Sequence, residues 1–173
     1  MRPVLTPIDF MWQGQDARSP ESRDRIALDQ SLDIYFQSFY PMFPILNQTR
    51  VRSSVPSYLT RLANPDSRPK NATDKMLDSI LAMIECRDHG LNPLLTPHHT
   101  QMISQPFDPA ELCTPSVDVV MSRLHIFVSY QSLGQRLAAW YHLQEAMTLM
   151  LMLGQPDAMT DRGEEHLRLY WVL

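Results

Sequence analysis

The chain has 173 residues, 44% of them hydrophobic and 20% charged, with a formal net charge of -4 at pH 7. That is enough for one domain with its own core and too little for two ordinary ones. The acidic balance lacks the clustered Lys and Arg that neutralise phosphates, which argues against a chain that grips DNA or RNA by itself.

Two cysteines, Cys86 and Cys113, make no disulfide framework, and no secretory signal is recognisable, so cytosol or nucleus is expected. The sequons Asn47-Gln-Thr49 and Asn71-Ala-Thr73 carry little weight without such a signal. The 14 prolines crowd into connections, and none falls between Pro115 and Pro156. No strand-like alternation persists and no Asn-Gly or Asp-Gly hairpin turn occurs. The predicted fold class is therefore all-α, an irregular multi-helix bundle.

Residues 1–18 read as a flexible leader, in which Asp9 and Gln13 interrupt Phe10, Met11 and Trp12. A first helix is predicted from Ser19-Pro20-Glu21, where Ser caps, Pro suits the first turn and Glu favours the helix dipole. Its inward stripe runs Ile26, Leu28, Leu32, Tyr35, Phe36 and Phe39. Pro41 and Pro44 end it, with Ile45 and Leu46 as an apolar anchor. Residues 51–71 read as a loop with a short helix at Tyr58–Leu62. A second helix is predicted over Thr73–Glu85, capped by Asn71 or Thr73; its apolar residues cover more than half its circumference, so it is expected to be largely buried. Residues 87–115 form a long polar connection.

A third helix starts at the Ser116 cap and ends before Gly134. The fourth, Gln135–Leu153, carries one stripe of Trp140, Leu143, Met147, Met150 and Leu151 and another of Ala139, Ala146, Leu149 and Leu153. Gly154 is expected in the αL conformation, closing that helix before Pro156. The longest apolar stretch, Leu137–Leu153, includes His142, Gln144, Glu145 and Thr148, which are costly in lipid, so it reads as a buried helix rather than a membrane span. A fifth helix opens with an Asp-capped box, Asp161-Arg-Gly-Glu164, and runs through Leu167, Leu169, Tyr170, Trp171 and Val172. Leu-Tyr-Trp-Val-Leu without a C-cap reads as an unfinished element, so the bundle is expected to be incomplete at its C-terminus, with further helices covering Leu167 and Trp171.

Two stretches carry a family resemblance. One is Leu32-Asp-Ile-Tyr-Phe-Gln-Ser-Phe-Tyr-Pro-Met-Phe-Pro-Ile-Leu46, with its Tyr35-Phe36 pair and its Pro41, Pro44 exit. The other is Ala139-Trp-Tyr-His-Leu-Gln-Glu-Ala-Met-Thr-Leu-Met-Leu-Met-Leu-Gly154, with Trp140 and Gly154, followed by Glu164-Glu-His-Leu-Arg-Leu-Tyr-Trp171, with Tyr170 and Trp171. In order and spacing over about residues 28–173 they resemble the fungal-specific transcription factor domain, or middle homology region, of binuclear zinc-cluster regulators. The resemblance implies a partial regulatory domain over 19–173, a nuclear location and modulation of RNA polymerase II transcription, with regulators of carbohydrate use as the nearest flavour. It implies that DNA contact and zinc belong to a six-cysteine module outside this chain, and that partners are proteins, a homodimer through the parent factor, or a small-molecule effector. The chain departs from the family pattern at Asn47 and Val51, where a His and an aromatic are expected, and Arg168 alone remains of a basic pair.

Other chemistry is thin. Cys86-Arg-Asp-His89 with His98, His99 and Cys113 is metal-like in composition, but its spacing matches no zinc module, and a helix-end Cys followed by a solvated loop is the better reading. His142 beside Glu145 and His166 beside Glu165 suggest acid–base work, against which stands the commoner structural role of a helix-surface His. No nucleophile elbow, phosphate-cradling glycine loop or His-Glu-x-x-His pair is present. Met147, Met150 and Met152 read as core packing, or as a sticky surface if further helices are missing. No catalytic, metal-binding or DNA-binding residue is assigned. The competing reading is a helical-repeat adaptor, weakened by the lack of a ~34-residue repeat; a small helical enzyme lacks a convergent catalytic set.

Overall fold

The structure is a computed structural model that describes residues 20–41, 43–63, 71–88, 114–155 and 162–173. The leader, most of the long connection and the Asp161 cap lie outside the described residues. Six helices and no strand occur among the described residues: α1 Pro20–Ile34, α2 Gln48–Leu62, α3 Ala72–Asp88, α4 Val117–Ser132, α5 Arg136–Leu153 and α6 Gly163–Val172. The all-α multi-helix bundle is as the sequence predicts.

α1 buries Leu28 and Leu32 and then passes into a π-helical turn, Tyr35–Phe39, that buries Tyr35 and Phe39. The turn is closed by the Tyr40 N–H bonding to the Tyr35 carbonyl at 3.0 Å. It lies immediately before Pro41, which has no N–H to continue the ladder. Ile26, predicted inward, is 38% exposed, and Phe36 is half-buried. Beyond Pro44 the chain plants Ile45 and Leu46 in the core, both fully buried.

Residues 48–62 correct the predicted loop. They form a full helix, capped by the Asn47 side chain accepting from the Arg50 N–H at 3.1 Å. Pro56 lies inside it, where the Arg52 carbonyl loses its usual donor. Two serines, at 53 and 54, instead bond back to the carbonyls of Arg50 and Val51. What holds the helix is tertiary: Val51, Val55 and Tyr58, spaced four and three apart, are all buried. Burial of each such side chain contributes about 1.5–3 kcal/mol, which together exceeds the roughly 3 kcal/mol cost of an interior Pro.

α3 starts at the Asn71 cap, whose side chain accepts from the Asp74 N–H at 2.8 Å, and runs to Asp88, three residues beyond the predicted end. It is buried nearly all round, from Met76 through Ile80 without a break. α4 is capped by Ser116 and is buried continuously from Val117 to Ile126. It is the hub, packed between α3 and α5. Gly134 at φ 72° follows it, with Gln135 N–H on the Tyr130 carbonyl and Gly134 N–H on the Gln131 carbonyl, a Schellman closure. This tight turn folds α5 back onto α4.

α5 buries a narrow face, Ala139, His142, Ala146, Leu149 and Met150. The two alanines leave room for the α4 backbone to approach closely. Of the predicted stripe of Trp140, Leu143, Met147, Met150 and Leu151, Met150 is buried and Leu143 half-buried against the core, whereas Trp140, Met147 and Leu151 are 58%, 39% and 82% exposed. An apolar helix offers two candidate faces, and the smaller side chains won the interior. Gly154 has φ 80°, as a glycine terminator should, but ψ is -162°, so it is extended rather than αL. α6 begins after Arg162, with no side-chain cap there. It buries Glu165, His166 and Leu169 and leaves Tyr170 and Trp171 exposed.

Candidate functional site

The two stretches of family resemblance meet in space. Arg168 on α6 reaches the Tyr40 hydroxyl and the Pro44 carbonyl, both at 3.1 Å. Glu165 on α6 accepts from the Asn47 backbone N–H at 2.6 Å. The last helix is thereby tied to the exit of the π turn. Asn47, a departure from the family pattern, serves as the α2 cap, and Val51, the other, is fully buried in the core.

Behind that seam lies a ring of charges that sequence reading missed. Asp118 accepts from Arg50 at 3.0 Å, from Arg162 at 2.5 Å and from the Thr73 hydroxyl at 2.6 Å. Glu165 accepts from Arg50 Nε at 2.9 Å and from Arg162 at 3.1 Å. The Asp118 and Glu165 side chains are 1% and 6% exposed, against 26% and 33% for the two arginines. Burial pushes the Asp118 carboxyl up, but the Thr73 hydrogen bond and the charges of Arg162 and Arg50 outweigh it and hold the group below its ordinary range. Two acids and two bases form a neutral ring whose oxygens are occupied by donors. It is built to fix α2, α3, α4 and α6 together. Its one sequence signal was Asp118 in the first turn of α4.

A second polar cluster sits within the core. His125 is 3% exposed. Its Nδ1 lies 2.9 Å from the Ser79 hydroxyl and its Nε2 lies 3.2 Å from the Tyr35 hydroxyl. Ser79 donates its hydrogen to the Met76 carbonyl at 2.7 Å, so it accepts from His125. That assigns the Nδ1–H tautomer and leaves Nε2 to accept from Tyr35. Burial drives the His125 pKa down to about 3, with only the Asp118 charge opposing, and burial likewise raises the Tyr35 phenol above its ordinary value. Beside them Phe39, Met83, Met121 and Leu124 help line a recess of about 10 Å³, room for one water at most.

Of the histidines expected on helix surfaces, both are buried. His142 stacks on Tyr130 with ring centroids 5.2 Å apart, and its Nδ1 lies 2.8 Å from Glu145. Glu145 also faces Arg123 at 3.8 Å. Burial raises its carboxyl, but the His142 hydrogen bond and the Arg123 charge prevail and lower it. Position 142 falls on the narrow buried face of α5, which periodicity alone did not distinguish from the exposed one. Cys86 is buried within α3, and burial pushes its thiol up despite the Ser129 hydrogen bond. His89, His98, His99 and Cys113 lie outside the described residues. No group of three or more metal-capable side chains gathers among the described residues.

What the described surface does offer is apolar. Leu137, Trp140, Tyr141 and Leu151 on α5, and Tyr170 and Trp171 on α6, are each at least half exposed. Met147 and Met152 join them at the surface, while Met150 is buried. No described helix is long and apolar enough to cross a membrane. Compared with family models, curated proteins and solved structures, the chain matches none of them significantly.

Proposed function

We propose that the chain is a regulatory helical module of a fungal zinc-cluster transcription factor, modulating RNA polymerase II transcription without touching DNA. The carrying observation is the contact between the two resembling stretches. Arg168, the one basic residue kept from the family pair, bonds at the Tyr40–Pro44 exit of the first stretch. Residues more than a hundred positions apart in sequence therefore act as one structural unit, as a shared domain requires. The acidic net charge and the exposed α5 face support a module that works through protein contacts. Carbohydrate-utilisation genes are the target class, the nucleus is the location, and zinc belongs to a separate cysteine module.

The adaptor reading draws on the same exposed face. It asks for equivalent helix pairs, whereas the described helices differ in length, with α3, α5 and α6 packed on α4 and α1 and α2 packed on α3. Sequencing transcripts across the locus separates the two readings. The transcription-factor reading expects a six-cysteine cluster in the same reading frame, and its absence would favour the adaptor. A gel-shift assay with the purified chain should give no sequence-specific complex; tight specific binding would contradict the proposal.

A further inference from the structure

The face of α5 turned away from α4 is mostly apolar, with uncharged Gln144 and Thr148 among its large side chains. Leu137, Trp140, Tyr141, Met147 and Leu151 are 89%, 58%, 59%, 39% and 82% exposed, and Gln144 and Thr148 between them are exposed too. These positions recur at three- and four-residue spacing, so they form a single stripe, and no charged residue belongs to it. Given about 150–250 Å² for a large side chain, the exposed fractions amount to roughly 700 Å², close to the ~800 Å² per partner of a stable interface. A lone monomer seldom carries so large a continuous apolar patch.

The order of residues indicates what covers it. About Gln144 the stripe is nearly symmetrical: Leu137 and Leu151 lie equally far on either side, as do Tyr141 and Met147, and Trp140 and Thr148. An antiparallel second copy crossing at Gln144 sets Leu137 against the partner's Leu151 and, on the two flanks of the stripe, Trp140 against the partner's Met147 and Tyr141 against the partner's Thr148, each contact made twice. Gln144 falls on the two-fold axis, and its amide has both donors and an acceptor, so two copies of it can bond to each other. Such self-complementarity is what a two-fold interface demands. A partner helix with charges along its face would find only Arg136, at the edge of the stripe, to answer them.

We propose that α5 is a homodimer interface, two copies packing antiparallel across the stripe centred on Gln144. The inference rests on the face itself and stands whether or not the chain regulates transcription.

Sedimentation equilibrium on the full chain is expected to give a saturating dimer. The double variant Leu137→Glu, Leu151→Glu is expected to give a monomer with unchanged helical circular dichroism. In a Cys113→Ser background, Gln144→Cys should cross-link to a dimer on mild oxidation, whereas Gln131→Cys on the exposed side of α4 should not. A monomeric native chain, open-ended aggregation, a face occupied by a different protein with the chain itself monomeric, or equal cross-linking from both cysteine positions would each overturn the proposal.

Discussion

Asp118 and Arg162 meet at 2.5 Å, and through them the start of α4 is locked to the start of α6. The same carboxylate holds Arg50 at 3.0 Å from the other side. Removing it leaves the two guanidiniums with Glu165 as their one remaining shared counter-charge. Breaking a buried pair costs about 3–5 kcal/mol, and because both arginines are partly solvated, Asp118→Asn is expected near the low end, ~3 kcal/mol. Urea denaturation measures it. A loss under about 0.5 kcal/mol, the size of an ordinary surface change, would mean the ring does not hold the bundle together.

Acid should weaken the fold in two stages. His125 is held neutral in the folded chain, its pKa lowered to about 3 from 6.5. The unfolded chain therefore binds the extra proton first. This contribution is complete above pH 6.5 and is lost as pH falls toward about 3, at ~1.4 kcal/mol per pH unit. Asp118 and Glu145, lowered from 3.8 and 4.5, add their losses only below those values. Between pH 4.5 and 6.5 the difference in slope between the native chain and His125→Gln reports His125. Stability measured across that window should fall more steeply in the native chain than in His125→Gln; parallel slopes would refute the buried neutral imidazole.

Pro56 gives a test of α2. It is exposed and inside the helix, so Pro56→Ala restores a backbone bond to the Arg52 carbonyl without disturbing the core. The gain is reduced by the greater freedom of the unfolded chain, leaving a net stabilisation of about 1–2 kcal/mol. In a loop the same change would be neutral or harmful, so a lower melting temperature would remove α2 from the account.

The two positive-φ glycines should respond unequally. A Cβ meets nothing nearby at either Gly134 or Gly154, so only backbone strain counts. Gly134 closes a Schellman turn, where Ala costs about 1–2 kcal/mol and Asn less. Gly154, at φ 80° and ψ -162°, occupies a region close to glycine-only, and any substitution there should cost about 2–3 kcal/mol. Thermal melts of the two Asn variants decide it: equal losses would contradict the geometry.

The fold was legible where local signals agreed with packing. Ser116 and Asn71 cap α4 and α3 as their chemistry suggests, Gly134 turns the chain, and α3 is buried nearly all round. α2 was not legible, because Pro56 and two serines point to a loop and only the contacts of Val51, Val55 and Tyr58 make it a helix. α5 misled in another way. Both of its faces are apolar, and which one packs depends on how closely Ala139 and Ala146 let α4 approach, a tertiary fact. The ring of Arg50, Asp118, Arg162 and Glu165 joins three separate segments, so no local window contains it. His125, bonded to Ser79 on α3 and to Tyr35, went unread for the same reason.

The proposed role of this bundle is to regulate transcription through protein contacts. Its most direct test is a reporter assay in yeast, with the chain fused to an unrelated DNA-binding domain, and the Leu137→Glu, Leu151→Glu variant expressed at equal level alongside it. The native chain is expected to change reporter output several-fold, and the variant to return it toward the level of the DNA-binding domain alone. A native fusion indistinguishable from that domain alone would contradict it.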